Sequence, residues 1–208
     1  MEGKTSLALA KEIFQSNLIG PTEISSIKDK FPLEIPTEIP TVPFNSKYLE
    51  KKSKDYLLVL GVSKFENSVS TLRNFKTYLG VDSKISEPCF YNQDWYIKEV
   101  FFDHVIPAEW FLIRKKVFEE SRSKEPISFV EKSELPAANK VAYAFILNWL
   151  INNEVLWKND YVWCSDMDVN GDRIYVGRYI DPNGINNNGF SIHRHLSIRN
   201  CYGVIDCN

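Results

Sequence analysis

The densest run of potential metal ligands is Asp166-x-Asp168-x-Asn170-Gly171-Asp172. It matches the first half of a calcium loop, in which oxygens at alternating positions converge on the ion and a glycine permits the turn. The second half fails, because Ile174 stands at the ninth position and Gly177 where a bidentate glutamate is needed. Asn170-Gly171 is also a tight hairpin signal, which accounts for the same residues without an ion. His193-x-His195 would place two imidazoles on one strand face, a spacing that grips zinc if Asp206, Cys201 or His104 supplies a third ligand. Nothing in the spacing requires that ligand, so no metal and no other cofactor is assigned. Cys89, Cys164, Cys201 and Cys207 contain no C-x-x-C pair and are too few for a disulfide scaffold, so they read as small core residues. Cys164 served by His193 or His195, or Cys201 paired with Cys207, are combinations without a geometric anchor. Nucleophile-elbow, Walker and dinucleotide patterns are absent. No catalytic residue is assigned, and the chain is read as non-enzymatic.

The elements that must position these residues follow from periodicity. Tyr161–Val169 and Asp172–Ile180 flank Asn170-Gly171 as a β-hairpin, in which Ile174 and Val176 alternate with Arg173, Tyr175 and Arg178 only until Gly177, giving one apolar face and one that displays polar and aromatic groups. Asp181-Pro182-Asn183-Gly184 is a second turn, Asn186-Asn187-Asn188-Gly189 a polar loop, and Phe190 to Asn200 returns as strand. Pro136 to Asn153 is the clearest helix, apolar on most of its circumference and therefore central and buried. Upstream, Thr5 or Ser6 caps a helix through about Gln15, and a second short helix runs near Glu23 to Lys30. The prolines between Phe31 and Pro43 favour an extended arm packed on the main domain. Asp55 to Val62 reads as a buried strand and Ser68 to Leu79 as a helix stopped by Gly80. The aromatics between Cys89 and Arg114 read as core.

The 208 residues carry 25 Lys+Arg against 27 Asp+Glu, with 44% hydrophobic and 13% aromatic residues, the profile of a globular α+β protein with an ample core. A net charge of −2 supplies no global attraction for nucleic acid or an anionic membrane, so any partner is chosen locally. No leader or membrane-spanning run is evident, and a cytoplasmic location is the default expectation. Charge is unevenly distributed, however. Every Lys and Glu lies at or before Lys158, Trp163 is the last Trp, Met167 the last Met, and no Gln follows either. A uniform composition would leave so long a gap in five residue types with a probability on the order of 10⁻⁴. A β-rich end, which depletes Lys and Glu, accounts for only part of it.

Trp163-x-Ser165-Asp166, the segment Gly171 to Tyr179, Asp181-Pro182-Asn183-Gly184 and the closing Arg199-Asn200-Cys201-Tyr202-Gly203-Val204 resemble the C-terminal end of variable proteins of diversity-generating retroelements. The likeness is tight over about the last fifty residues and loose earlier. It implies a C-type lectin-like fold, in the branch shared with formylglycine-generating enzymes. Residues 1–44 would form N-terminal helices and a proline-rich arm, and 45–208 the lectin-like domain, with a hypervariable region over about 163–205. In that family a reverse transcriptase rewrites template adenines, and altering the first two bases of AAC or AAT codons cannot yield Lys, Glu, Gln, Met or Trp. Those are the types missing here.

The resemblance thus implies a receptor or display protein whose partner is a variable protein or cell-surface ligand of unspecified identity, with no nucleic-acid binding and no membrane insertion. The expected ligand surface is Asp168, Asn170, Asp172, Arg173, Tyr175 and Arg178 on the hairpin, and Tyr179, Asp181, Asn183, Asn186, Asn187 and Asn188 beyond it. His193, Arg194, His195, Arg199, Asn200 and Tyr202 complete it. Gly171, Val176, Gly177, Gly184, Gly203 and Val204 are assigned to scaffold. Two alternatives stand beside this reading. One is a calcium-dependent carbohydrate-binding lectin domain using Asp166, Asp168, Asn170 and Asp172. The other is an oxidoreductase of formylglycine-generating type relying on Cys201 and Cys207.

Overall fold

A computed structural model describes residues 3–130, 134–179, 189–194 and 197–208. The chain is mixed α and β with open sheets. It opens with α1 (Leu7–Phe14), capped by the Ser6 hydroxyl accepting from Leu9 N and burying Ala10 and Phe14. β1 (Leu18–Ile19) follows, then α2 (Pro21–Ser25). α2 is shorter and earlier than the sequence pattern suggests. Proline is tolerated in its first turn and Glu23 reaches back to Gly20 N, while the chain from Ser26 continues only as turns. The proline-rich stretch is extended and lies on the body: Leu33 bridges Phe65, Val42 bridges Thr5, and Trp110 Nε1 donates to Pro40 O at 2.7 Å.

After α3 (Ser46–Lys52) comes β2 (Tyr56–Leu60), all five residues buried, as a continuous apolar run demands of a strand covered on both faces. A short hairpin, β3 (Lys64–Phe65) and β4 (Ser68–Val69), precedes α4 (Leu72–Leu79). The helix read from Ser68 therefore begins at Leu72, because Thr71 caps it by accepting from Asn74 N. Gly80 stops it with φ 73°. The aromatics that follow are core in an irregular segment, with Phe90, Tyr96, Phe101 and Phe102 all buried. β5 (Trp110–Arg114) then pairs antiparallel with β2, which pairs parallel with β1, giving the sheet order β1-β2-β5. A one-turn α5 (Ile127–Val130) leads towards α6 (Ala138–Asn152).

α6 is the central helix, with every residue from Ala138 to Asn148 buried except Lys140. It starts just after Pro136, and Ala137 offers no capping side chain. Its first N–H is satisfied from a distance, since Ala138 N donates to Asp166 Oδ2 at 2.6 Å. Asn153, in the left-handed conformation, ends it. β6 (Tyr161–Met167), β7 (Arg173–Gly177), β8 (Ser191–His193) and β9 (Tyr202–Gly203) form the second sheet, in the order β8-β7-β6-β9. β6 and β7 are antiparallel in the register Val162↔Val176 and Trp163↔Tyr175, with a bulge before Met167↔Arg173. Strand alternation sends Val162, Cys164, Ile174, Val176 and Ile192 into the main core. The same alternation gives the opposite face to Tyr161, Trp163, Tyr175 and Tyr202, the centre of a second, separate cluster.

Candidate functional site

Between β6 and β7 the Asp168–Asp172 pair closes a three-residue loop, 169–171, not the two-residue turn that Asn170-Gly171 suggests. Asp168 N donates to Asp172 O at 2.9 Å and Gly171 N to Asp168 O at 3.0 Å, and of the loop residues only Gly171 takes a positive φ, 85°. The carboxylate of Asp168 organises this loop, accepting from Asn170 N at 2.9 Å and Asp172 N at 2.8 Å. Its side chain is fully buried and paired with Arg194 Nη1. Arg194 also lies 3.5 Å from Glu99 Oε1 and 4.3 Å over the Trp95 ring, while Glu99 Oε2 accepts from Val169 N at 2.9 Å. Burial would raise the Asp168 carboxyl, but the bonds from Asp172 N, Arg194 and Asn170 N outweigh it and hold the group below the usual carboxylate range.

The acidic run is thereby split. Asp166 turns to the start of α6 and to His104 Nδ1, 3.4 Å away, while Asp168 turns to Arg194. Among the described residues no group of three or more His, Cys, Asp or Glu side chains is placed to hold a metal ion.

The outer face of the second sheet is aromatic. Trp163 and Tyr175 stand 4.9 Å apart between ring centroids, Tyr175 and Tyr202 4.7 Å, and Tyr161 and Tyr202 5.4 Å. His193 stacks on Tyr175 at 5.9 Å, with Gln93 Nε2 at 3.3 Å from its Nδ1. Burial, with help from the Arg178 charge, pushes the imidazole down to about 4, so it is neutral at pH 7. Phe118, Phe129, Ile198 and Cys201 pack over this cluster. A hollow of about 240 Å³ remains at its margin, where Trp163 and Tyr175 meet Ile127, Ile198, Asp172 and Arg173.

This geometry corrects four members of the expected ligand surface. Tyr175, Tyr202 and Asp168 are interior, because the polar and aromatic face of the hairpin is itself covered, and Asp168 is drawn in by Arg194. Tyr179 is interior on the other side of the sheet, 4.3 Å from the Trp149 ring and 5.9 Å from Phe145, with its hydroxyl 3.2 Å from Glu87 Oε1. Asn170, Arg199 and Asn200 are exposed, and Asp172, Arg173, Arg178, His193 and Arg194 half-buried. Arg173 serves the bulge, donating to Cys164 O at 3.0 Å. Asp181, Asn183, Asn186, Asn187, Asn188 and His195 lie outside the described residues. Of the scaffold assignments, Val176, Gly177, Gly203 and Val204 are buried, Gly171 is exposed in its loop, and Gly184 lies outside the described residues.

Glu99, Trp95 and Gln93 complete the site without having been marked by any motif. The dense aromatics around Trp95 are a signal for it, whereas a carboxylate that reaches an N–H seventy positions away has none. All four cysteines are free thiols. Burial holds the Cys164 thiol well above its ordinary value and pushes Cys207 up to about 12, so neither forms a thiolate at neutral pH. Cys201 is half-buried beside Arg178. Among the described residues no helix is long and apolar enough to cross a membrane. No family model matches the chain, and no curated protein or solved structure matches it.

Proposed function

We propose that this chain is a non-enzymatic ligand-binding protein whose C-terminal surface is diversified by a retroelement through adenine mutagenesis, on a C-type lectin-like scaffold. The observation that carries the reading is the joint absence of Lys, Glu, Gln, Met and Trp after Met167. A strand-rich end explains it poorly, because Val169, Asn170, Ser197, Arg199 and Asn200 are exposed positions outside the strands, where Lys and Glu are at home. Rewriting of Asn codons forbids those types at loop and strand alike.

The division of labour within the tail also supports this reading. Val162, Ile174, Val176 and Ile192 anchor the second sheet in the main core, so stability does not rest on the exposed side chains. Among the described residues the ligand surface is then narrower than the sequence suggests, centred on Asn170, Asp172, Arg173, Arg178, His193, Arg194, Arg199 and Asn200. The calcium-lectin alternative is disfavoured by the separate engagements of Asp166 and Asp168, and the oxidoreductase alternative by the buried, protonated Cys207.

The test is genomic. The coding DNA is expected beside a near-identical template repeat and a reverse-transcriptase gene, with mismatches confined to template adenines. A complete surrounding sequence without such a repeat refutes the reading.

A further inference from the structure

Beside Cys201 the surface opens into two hollows, of about 500 and 450 Å³, that share Arg122, Asn159 and Asp160 and so form one two-lobed trough. The larger lobe is lined by Lys54, Arg114, Lys115, Lys116 and Lys158, facing Asp55, Glu119, Glu154 and Asp160. The smaller adds Arg178 and Arg199. Among the described residues, with Arg122 included, eight cations meet four carboxylates, on a chain whose formal net charge is −2. The charge of this surface is therefore opposite to that of the whole.

Two of the four carboxylates are already engaged. Arg122 holds Asp160 at 2.6 Å and Glu119 at 2.7 Å, and it also donates to Asn200 O at 3.2 Å, tying the ridge between the lobes to the tail. Lys115 donates to Asn17 Oδ1 at 2.9 Å, and Arg114 lies 4.3 Å over the Phe118 ring. Lys54, Lys116, Lys158 and Arg199 are exposed, and their side chains make no hydrogen bond or ion pair among the described residues. Trp157 forms part of the wall, is 5% exposed, and its indole N–H has no acceptor among the described residues. An excess of cations gathered in a concave surface focuses a positive potential into it, and the larger lobe has the volume of a small-ligand site.

We propose that this trough binds a small polyanion, a ligand carrying two or more phosphate or sulfate groups, with Lys54, Lys116 and Lys158 in one lobe and Arg178 and Arg199 in the other. The three lysines precede the tail, so the larger lobe keeps its charge whether or not the tail is diversified. It names a ligand class that no other observation on this chain assigns.

Isothermal titration of the full chain, at about 50 and about 150 mM salt, tests this with two probes: inorganic tripolyphosphate and a heparin-derived sulfated hexasaccharide. Saturable binding that weakens with salt is expected for at least one, and the preferred probe identifies phosphate or sulfate as the source. The Lys54→Gln/Lys158→Gln variant is expected to lower affinity about fivefold or more, as two lost ion pairs of ordinary surface strength would. Lys28→Gln/Lys30→Gln, exposed and outside the trough, should leave affinity unchanged. In a parallel NMR titration the Trp157 indole resonance should shift with the same midpoint. No binding of either probe at the lower salt, equal weakening in both variants, or a Trp157 resonance that stays still while others move would each overturn the proposal.

Discussion

Acid should destabilise this protein through one imidazole, beginning near pH 6.5. His193 is stacked on Tyr175 and edge-on to Tyr161, beside Gln93 and under the positive field of Arg178, and its pKa falls from 6.5 to about 4. The unfolded chain then binds a proton between those values that the folded chain refuses. Stability from this site is thus full above pH 6.5, declines as pH falls, and levels off below about 4. Each unit of difference corresponds to about 1.4 kcal/mol, which gives a ceiling near 3 kcal/mol, and about 2 kcal/mol at pH 4.5 after allowing for the part of the ring still exposed. The perturbation is His193→Phe, which keeps a ring against Tyr175 and removes the proton site. Urea unfolding of both proteins at half-unit steps from about pH 7.5 to 4.5 gives the difference profile, in which every shared titration cancels. Wild type should lose about 2 kcal/mol relative to the variant across that range. Parallel profiles would show that His193 titrates as an open imidazole does, and that the aromatic face is not closed over it.

Three further outcomes follow from the same geometry. Tyr175→Asn and Tyr202→Asn should each cost about 3 kcal/mol or more, whereas Asn170→Tyr and Asn200→Tyr should stay within about 0.5 kcal/mol, read from denaturant midpoints. Asp168→Ala should cost about 3 kcal/mol by removing the nearer carboxylate of Arg194 and the acceptor of two loop N–H groups, and a double-mutant cycle with Arg194→Met should show strong coupling. Wild-type stability from this carboxylate should be intact above the usual carboxylate range and lost as pH falls through the depressed folded value, below the His193 window. Thiol titration of the native protein should label Cys201 first, with Cys89, Cys164 and Cys207 reacting only on unfolding, as their burial requires.

What the sequence made legible is what short-range physics decides. The apolar circumference from Val141 to Leu147 marks a buried helix, and the Val162–Ile174–Val176 alternation marks a hairpin with one face in the core. The site is legible in part for the same reason. Period two says that Trp163 and Tyr175 share a face, but not whether water or Phe118 and Ile198 cover it, because the covering residues come from distant parts of the chain. Likewise Asp166 and Asp168 look like a pair of ligands two positions apart. Their roles are set by the start of α6 and by Arg194, neither of which any local window contains.

This has a consequence for how the tail can vary. Asn-to-Tyr is among the changes that adenine rewriting produces, yet Tyr161, Tyr175 and Tyr202 build a closed aromatic layer with Trp163, a residue that such rewriting cannot make. Replacing any of the three tyrosines by a small polar residue would leave a cavity against that tryptophan. If the tail is diversified, the process must therefore spare these positions or yield many chains that do not fold. Among the described residues, the positions open to variation without loss of the fold are Asn170, Arg199, Asn200 and the half-buried rim around them. A set of related chains should accordingly show aromatic residues held at 161, 175 and 202, and the full set of rewritten types at 170, 199 and 200. Free variation at 175 or 202 in folded chains would contradict the closed layer.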